Sequence, residues 1–199
     1  MLSEYFDMIV CISLPERDDR RAFFEAQAKA MGFKFEYVDG VKVPFGNGKI
    51  SKERIGCLRA HKNALMLAQE KGATNILIME DDCQFRNEVG GLFKEGMKSL
   101  IDYDLLYLGG TLWNASVKRY NEYFLTGSGI LTTHSYCVPF KNYSKLIELM
   151  SFETMPVDVI LAEFQKENKC LIFNKNITRQ LSGYSNIERK FVTSWLFDN

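Results

Sequence analysis

Residues 76–82 read Ile76-Leu77-Ile78-Met79-Glu80-Asp81-Asp82, four apolar side chains running directly into three carboxylates. An unbroken apolar run of this length is the pattern of a strand covered on both faces, as in the middle of an α/β sheet. The carboxylates then fall at its C-terminal end, the edge where open α/β sheets bind ligands. Side-chain alternation places Glu80 and Asp82 on one face and Asp81 on the other. Three adjacent negative charges repel. A hard divalent ion such as Mn²⁺ or Mg²⁺ relieves that repulsion and brings phosphate oxygens with it. A solvated acidic turn accounts for the same residues, since carboxylates are common at turns and helix N-caps.

On the N-terminal side of this stretch the chain alternates strand and helix signals. Met8 to Leu14 is a short apolar run ending at Pro15, and the charged residues from Glu16 to Arg21 lead into a helix carrying Phe23, Phe24, Ala26, Ala30 and Met31, with Gly32 as its stop. Phe33, Phe35 and Tyr37 alternate with Lys34 and Glu36, a period-two strand ending at Val38-Asp39-Gly40. Pro44, Gly46, Asn47 and Gly48 mark an irregular loop, after which Ser51 caps a helix bearing Ile55, Leu58, Leu65 and Ala68 and closing at Gly72.

Beyond the acidic stretch the pattern is weaker. Leu92 to Ile101 reads as a helix and Asp104 to Leu108 as a strand, while Trp113 to Tyr123 is a loop or a hairpin over a ligand site. Ile130 to Phe140 is strand-like, Lys141 to Met150 helical, Pro156 begins a further helix, and Leu171 to Phe173 is a last short strand. The alternation describes one α/β domain across residues 1–199, three-layered with a largely parallel central sheet, and leaves open that it belongs to a longer parent chain.

Composition narrows the function classes. The 25 Lys and Arg balance the 25 Asp and Glu, so there is no basic surplus pointing to nucleic acid. The five cysteines are scattered without C-x-x-C spacing and read as reduced core residues. An acidic N-terminus without a signal-peptide pattern suggests a cytoplasmic location, and no window approaches a transmembrane segment. On that reading the acceptor triplets beginning at Asn114, Asn142 and Asn176 are chance matches. The apolar stretch from Phe191 to Phe197 is expected to pack on the domain.

Five stretches together resemble glycosyltransferase family 25, which includes lipopolysaccharide β-galactosyltransferases and collagen galactosyltransferases. They are Ile12-Ser13-Leu14 with Arg17, Asp18, Arg20 and Arg21; Gly56-Cys57 with His61; Ile78-Met79-Glu80-Asp81-Asp82; Thr133-His134-Ser135-Tyr136 with Pro139; and Pro156-Val157-Asp158. The resemblance implies a GT-A (Rossmann-like) fold, a nucleotide-sugar donor, a divalent metal and transfer with inversion. The chain departs from the family pattern at Ala60, where serine is usual, and at Asn186 in Gly183-Tyr184-Ser185-Asn186-Ile187, where aspartate is usual. Galactose specificity is therefore not carried over; what the resemblance implies is a hexose or deoxyhexose, a UDP-sugar as the expected donor, and a glycan or glycoprotein hydroxyl as the expected acceptor.

Such a transfer needs the leaving diphosphate neutralised and a base for the acceptor hydroxyl. By resemblance Asp82 is the first metal ligand, with Glu80 beside it, and Glu80 and Asp81 hold ribose or water. Ser13, Leu14, Arg17, Asp39, Arg59 and His61 are candidate nucleotide-sugar contacts. His134, Tyr136 and Gln180 are weaker candidates for sugar or acceptor. Asp158, in a helix first turn where the macrodipole favours its ionised form, is the candidate base. Each has an ordinary structural alternative: a surface arginine, a turn aspartate, a hydrogen-bonded core histidine, a core aromatic, a first-turn acid. Two other functions remain: a nucleotide-sugar or glycan-binding module with little turnover, and a metal-dependent phosphotransferase, for which no D-x-D-x-[TV] motif is present.

Overall fold

The computed structural model describes residues 2–87, 89–185 and 190–192. β1 (Met8–Ser13), α1 (Asp18–Met31) and β2 (Glu36–Asp39) are followed by α2 (Lys52–Glu70), β3 (Asn75–Glu80), β4 (Cys83–Phe85), α3 (Gly90–Lys98) and β5 (Leu105–Tyr107). Next come β6 (Thr111–Arg119), β7 (Phe124–Leu131), β8 (Ser135–Pro139), α4 (Tyr143–Ser151) and α5 (Val157–Gln165). The described chain ends with β9 (Cys170–Phe173), β10 (Thr178–Gln180), β11 (Gly183–Ser185) and β12 (Lys190–Val192).

Eight strands form the central sheet in the order β2-β1-β3-β8-β5-β9-β7-β6. The pairings make β1, β2, β3, β5, β6 and β9 point one way and β7 and β8 the other. The largely parallel expectation holds on that account, with the reversed β8 lying directly beside β3. The apolar run of β3 is covered on both sides: Ile76 and Ile78 join the core under α2, α4 and α5, and Leu77 and Met79 join the core under α1 and α3. The architecture is the expected three-layer α/β sandwich.

Local signals place most element ends. Gly32 takes the left-handed conformation (φ 67°) that stops α1, and the Ser51 hydroxyl accepts the Arg54 backbone N–H at the start of α2. The second strand begins later than its alternation suggests, because Phe33 and Phe35 pack edge-on to Phe24 instead of joining the sheet. The 113–123 stretch is most of β6 and the turn into its partner β7, one arm of a hairpin at the sheet edge opposite β2, so it does not lie over the ends of β1, β2 and β3. The single strand expected over 130–140 is two, broken where Thr132 has φ 71°. β4 and β10, too short for a periodic signal, pair antiparallel and set Gln180 opposite Cys83.

All five cysteines are free, four of them buried and Cys57 half-buried. Asn142 and Asn176 spend their amides inside the protein, on Asp104 and on the Gly110 backbone. No described helix is long and apolar enough to cross a membrane. The region from 193 to 199, including most of the apolar C-terminal stretch, lies outside the described residues, as does Asn186.

One contact joins the fold to its ligand edge. Gly56, in the second turn of α2, lies so close to the loop after β2 that a Cβ there would overlap the Val41 carbonyl oxygen. Gly56→Ala should therefore reverse the usual gain of alanine in a helix and cost about 1–3 kcal/mol through overpacking. A fall of several degrees in melting temperature, against a rise for an alanine at Gly91, where a Cβ meets nothing, is the expected result of a thermal-denaturation comparison.

Candidate active site

A cleft of about 770 Å³ opens at the C-terminal ends of β1, β2 and β3. Ser13 and Leu14 after β1, Gly40 to Val43 after β2, and Glu80, Asp81 and Asp82 after β3 line it. Arg17 and Arg20 come from the start of α1, Lys52, Gly56, Cys57 and His61 from α2, and Gln180 from β10. The volume is within the range of small-molecule and cofactor sites.

All three carboxylates face this cleft. The alternation argument for opposite faces ends with β3 at Glu80: Asp81 and Asp82 form a turn, where the period of two no longer applies. The Asp81 backbone N–H still donates to the Ile12 carbonyl oxygen at 3.1 Å, extending the β1–β3 contact by one residue. That register brings the Ser13 hydroxyl to Asp81 Oδ2 at 2.8 Å. One guanidinium nitrogen of Arg20 donates to Asp81 Oδ1 at 2.8 Å and to Asp82 Oδ2 at 2.9 Å. Gln180 Nε2 donates to the same Asp82 oxygen at 3.2 Å, and Asp82 Oδ1 is buried with no hydrogen-bond partner among the described residues.

Glu80 is held from the other side. Thr133 Oγ1 donates to its Oε1 at 2.5 Å, His61 Nε2 lies 3.5 Å from that oxygen, and His61 Nδ1 meets the Tyr136 hydroxyl at 2.9 Å. Burial opposes ionisation of Glu80, but the His61 ring 3.5 Å away and the Thr133 hydroxyl outweigh it and keep the carboxyl below its usual range. Asp82 moves the opposite way. Burial and then the charge of Glu80 push its pKa up, against the pull of Arg20.

Eight candidates therefore share one cleft: Ser13, Leu14, Arg17, His61, Glu80, Asp81, Asp82 and Gln180. The other five do not line it. Arg59 turns away on α2 and forms a bidentate pair with Glu153, at 2.6 and 3.0 Å, because it lies two residues from His61 on the helix. Asp39 points outward and takes a 2.7 Å bond from Arg21. Tyr136 is fully buried in β8, where it can support His61 but cannot stack on a sugar. His134 is buried against Thr132 and Thr178, and burial pushes its pKa down to about 4, so it is a neutral structural histidine. Asp158 stands in the first turn of α5, where its Oδ1 accepts the Val159 N–H; its charge acts on Cys57, a residue of the cleft wall. Arg20 is the residue that site assignment from the sequence overlooked. Its signal was the i, i+3 spacing from Arg17, which puts two guanidinium groups on one face at the start of α1.

Among the described residues no three His, Cys, Asp or Glu side chains stand together as a ready-made metal cage. Glu80 Oε1, both Asp81 oxygens and Asp82 Oδ2 already have partners. The unpartnered Asp82 Oδ1 nevertheless fits a hard cation held by one carboxylate, the arrangement in which Mg²⁺ or Mn²⁺ takes its remaining ligands from phosphate and water.

No family model matches the chain. It is similar to procollagen galactosyltransferase 1 of Danio rerio, 25% identical over 113 residues, which are 55% of this chain and 18% of that protein. It is likewise similar to inactive glycosyltransferase 25 family member 3 of Homo sapiens, 25% identical over 129 residues, covering 52% of this chain and 22% of the relative. The chain thus spans about a fifth of the length of these curated relatives. Among solved structures, A197 from STIV covers 94% of both chains with a TM-score of 0.51 at 11% identity, a likeness of fold. The family 25 resemblance carried by the motifs is supported by these curated relatives.

The raised pKa of Asp82 has a consequence for stability with a definite sign. The folded protein holds this proton more tightly than the unfolded chain, so the contribution is full below the free aspartate value of about 4 and is lost as pH rises through the folded value. Asp82→Asn should stabilise the metal-free protein by about 1–2 kcal/mol at neutral pH and have little effect near pH 4. Melting temperatures of both proteins in EDTA across that range test it, and a loss of stability at neutral pH contradicts it.

Proposed function

We propose that the cleft binds a nucleotide diphosphate sugar together with Mn²⁺ or Mg²⁺ and transfers the hexose or deoxyhexose, with inversion, to a hydroxyl of a glycan or glycoprotein. The observation that carries this reading is the unpartnered, buried Asp82 Oδ1 at the sheet edge, in a cleft that also presents Arg17 and Arg20. A carboxylate oxygen without a donor in such a place is costly unless a cation meets it. The similarity to procollagen galactosyltransferase 1 points the same way, while that to the inactive family member favours the second reading below.

In this reading Leu14, Gly40, Val41 and Val43 form the wall against which a nucleoside lies, with UDP the expected carrier. Arg17 and Arg20 stand where the diphosphate charge falls. The bound cation supplies Lewis-acid neutralisation of the leaving diphosphate. Glu80, fixed by Thr133 and His61, presents its carboxylate to ribose or sugar hydroxyls. The base must be a carboxylate not already committed. Asp81 is taken by Ser13 and Arg20, and Glu153 by Arg59. Asp158 makes only a local bond to its own helix turn among the described contacts, and although it does not itself line the cleft its charge reaches Cys57, which does. We assign it the acceptor proton: as the acceptor oxygen forms its bond to the anomeric carbon, the bond to the diphosphate breaks and the proton passes to the Asp158 carboxylate.

A second reading, a nucleotide-sugar-binding module with little turnover, draws on the guanidinium already seated on Asp81 and Asp82 and on the absence of a three-ligand metal cage among the described residues. Two measurements separate the readings. UDP should raise the melting temperature far more in Mn²⁺ than in EDTA, as a ligand selective for the folded state must; equal shifts remove the metal bridge. Asp158→Asn should lower transfer by about 10²- to 10⁴-fold while Mn²⁺-dependent UDP binding stays normal. Near-normal turnover with a lower melting temperature would make Asp158 a helix-terminal residue only.

A further inference from the structure

Arg20 occupies an unusual electrostatic position. It is the third residue of α1, its side chain is 18% exposed, and one of its terminal nitrogens satisfies two adjacent, buried carboxylates at once. That nitrogen carries two hydrogens, and each is spent, one on Asp81 Oδ1 and one on Asp82 Oδ2. Without this bridge the two aspartates, 6% and 7% exposed, would repel across the turn. Asp82 Oδ1, the neighbouring oxygen of the same carboxylate, is the atom left without a partner.

The two oxygens of one carboxylate are about 2.2 Å apart, so a divalent ion on Oδ1 at ~2.1 Å lies only a few ångströms from the guanidinium on Oδ2. With their carboxyls ionised, Glu80, Asp81 and Asp82 sum with Arg20 to two negative charges; a divalent ion alone neutralises these but stands beside the like charge of the guanidinium in a site of reduced dielectric. A diphosphate relieves that contact. Its oxygens accept from the guanidinium nitrogen that leaves Asp82 Oδ2 and ligate the metal at the same time.

We propose that Arg20 is a resident counter-ion that holds the acidic turn in the metal-free protein and couples loading of the divalent ion to loading of the nucleoside diphosphate. On loading, the Arg20 nitrogen exchanges Asp82 Oδ2 for a phosphate oxygen and keeps Asp81 as its anchor. Arg17 has a different role, since its guanidinium is closed on Asp19 within the same turn, at 2.8 Å through both nitrogens. This inference rests on the nucleotide-sugar reading of the cleft only for the identity of the second ligand. The effect on the metal alone follows from Arg20 and Asp82 themselves.

The test is calorimetric titration of Mn²⁺ into wild type and Arg20→Gln, each with and without saturating UDP. For wild type, UDP should tighten Mn²⁺ binding by about tenfold or more, a typical coupling. Arg20→Gln should bind Mn²⁺ alone about tenfold more tightly than wild type and lose most of the coupling. If the single variant does not fold, Arg20→Gln is made in an Asp81→Asn background and read against Asp81→Asn alone, so that only the guanidinium differs and the same expectation applies. Mn²⁺ binding in the variant no tighter than in wild type, or coupling of unchanged size, overturns the proposal. Wild type that binds no UDP in Mn²⁺ overturns the nucleotide-sugar reading instead, and the titrations without nucleotide still decide the role of Arg20.

Discussion

Three consecutive carboxylates at one strand end impose the constraint on which the rest of this protein depends. Asp81 and Asp82 are almost wholly buried, and buried charge persists only where it is paired and hydrogen-bonded. Each neighbouring element accordingly contributes a partner. β1 supplies the Ser13 hydroxyl, α1 the Arg20 guanidinium, β10 the Gln180 amide, and the segment before β8 the Thr133 hydroxyl. α2 supplies His61, which is steadied in turn by Tyr136. The acidic turn thus holds the surrounding elements in register as much as they hold it.

The sheet makes this convergence possible. β1, β2 and β3 run parallel, so their C-terminal ends and following loops meet at one edge, and the first turn of α1 points its arginines back over that edge. β8 runs against β3 and ends nowhere near the cleft; what it offers is its start, Thr133 through Tyr136, delivered behind Glu80. The short pairing of β4 with β10 then brings Gln180 onto Asp82 from about a hundred residues away. The cleft wall from β2 and α2 mixes apolar Val41, Val43 and Ala60 with Lys42, Lys52, Glu53 and His61, while the α1 side presents Arg17 and Arg20.

Much of the fold was legible because its signals are local or periodic. The four apolar residues of β3 announce burial on both faces, Gly32 and Ser51 mark helix ends, and the carboxylates follow a strand that can only be internal. What escaped was set by contacts distant in sequence. β4 and β10 are three residues each and exist because they find one another. Phe33 and Phe35 alternate as a strand would, yet packing on Phe24 outweighs that pattern. The break at Thr132, which converts one expected strand into two, carries no glycine or proline to announce it.

For the site the division is sharper. By itself the sequence determined which residues gather at the strand end, namely Glu80, Asp81 and Asp82 with Ser13, Arg17 and His61 near them, because a buried apolar strand leaves its terminal carboxylates only one edge to occupy. It also determined that Asp158 begins a helix. Only the tertiary structure decided the pairing of charges: Arg59 with Glu153, Asp39 with Arg21, Tyr136 with His61, and Arg20 across Asp81 and Asp82. The reason is physical. A residue's chemical type and the period of its element fix which face it lies on, but which partner neutralises a buried charge depends on where the other elements bring their side chains, and no local pattern encodes that distance.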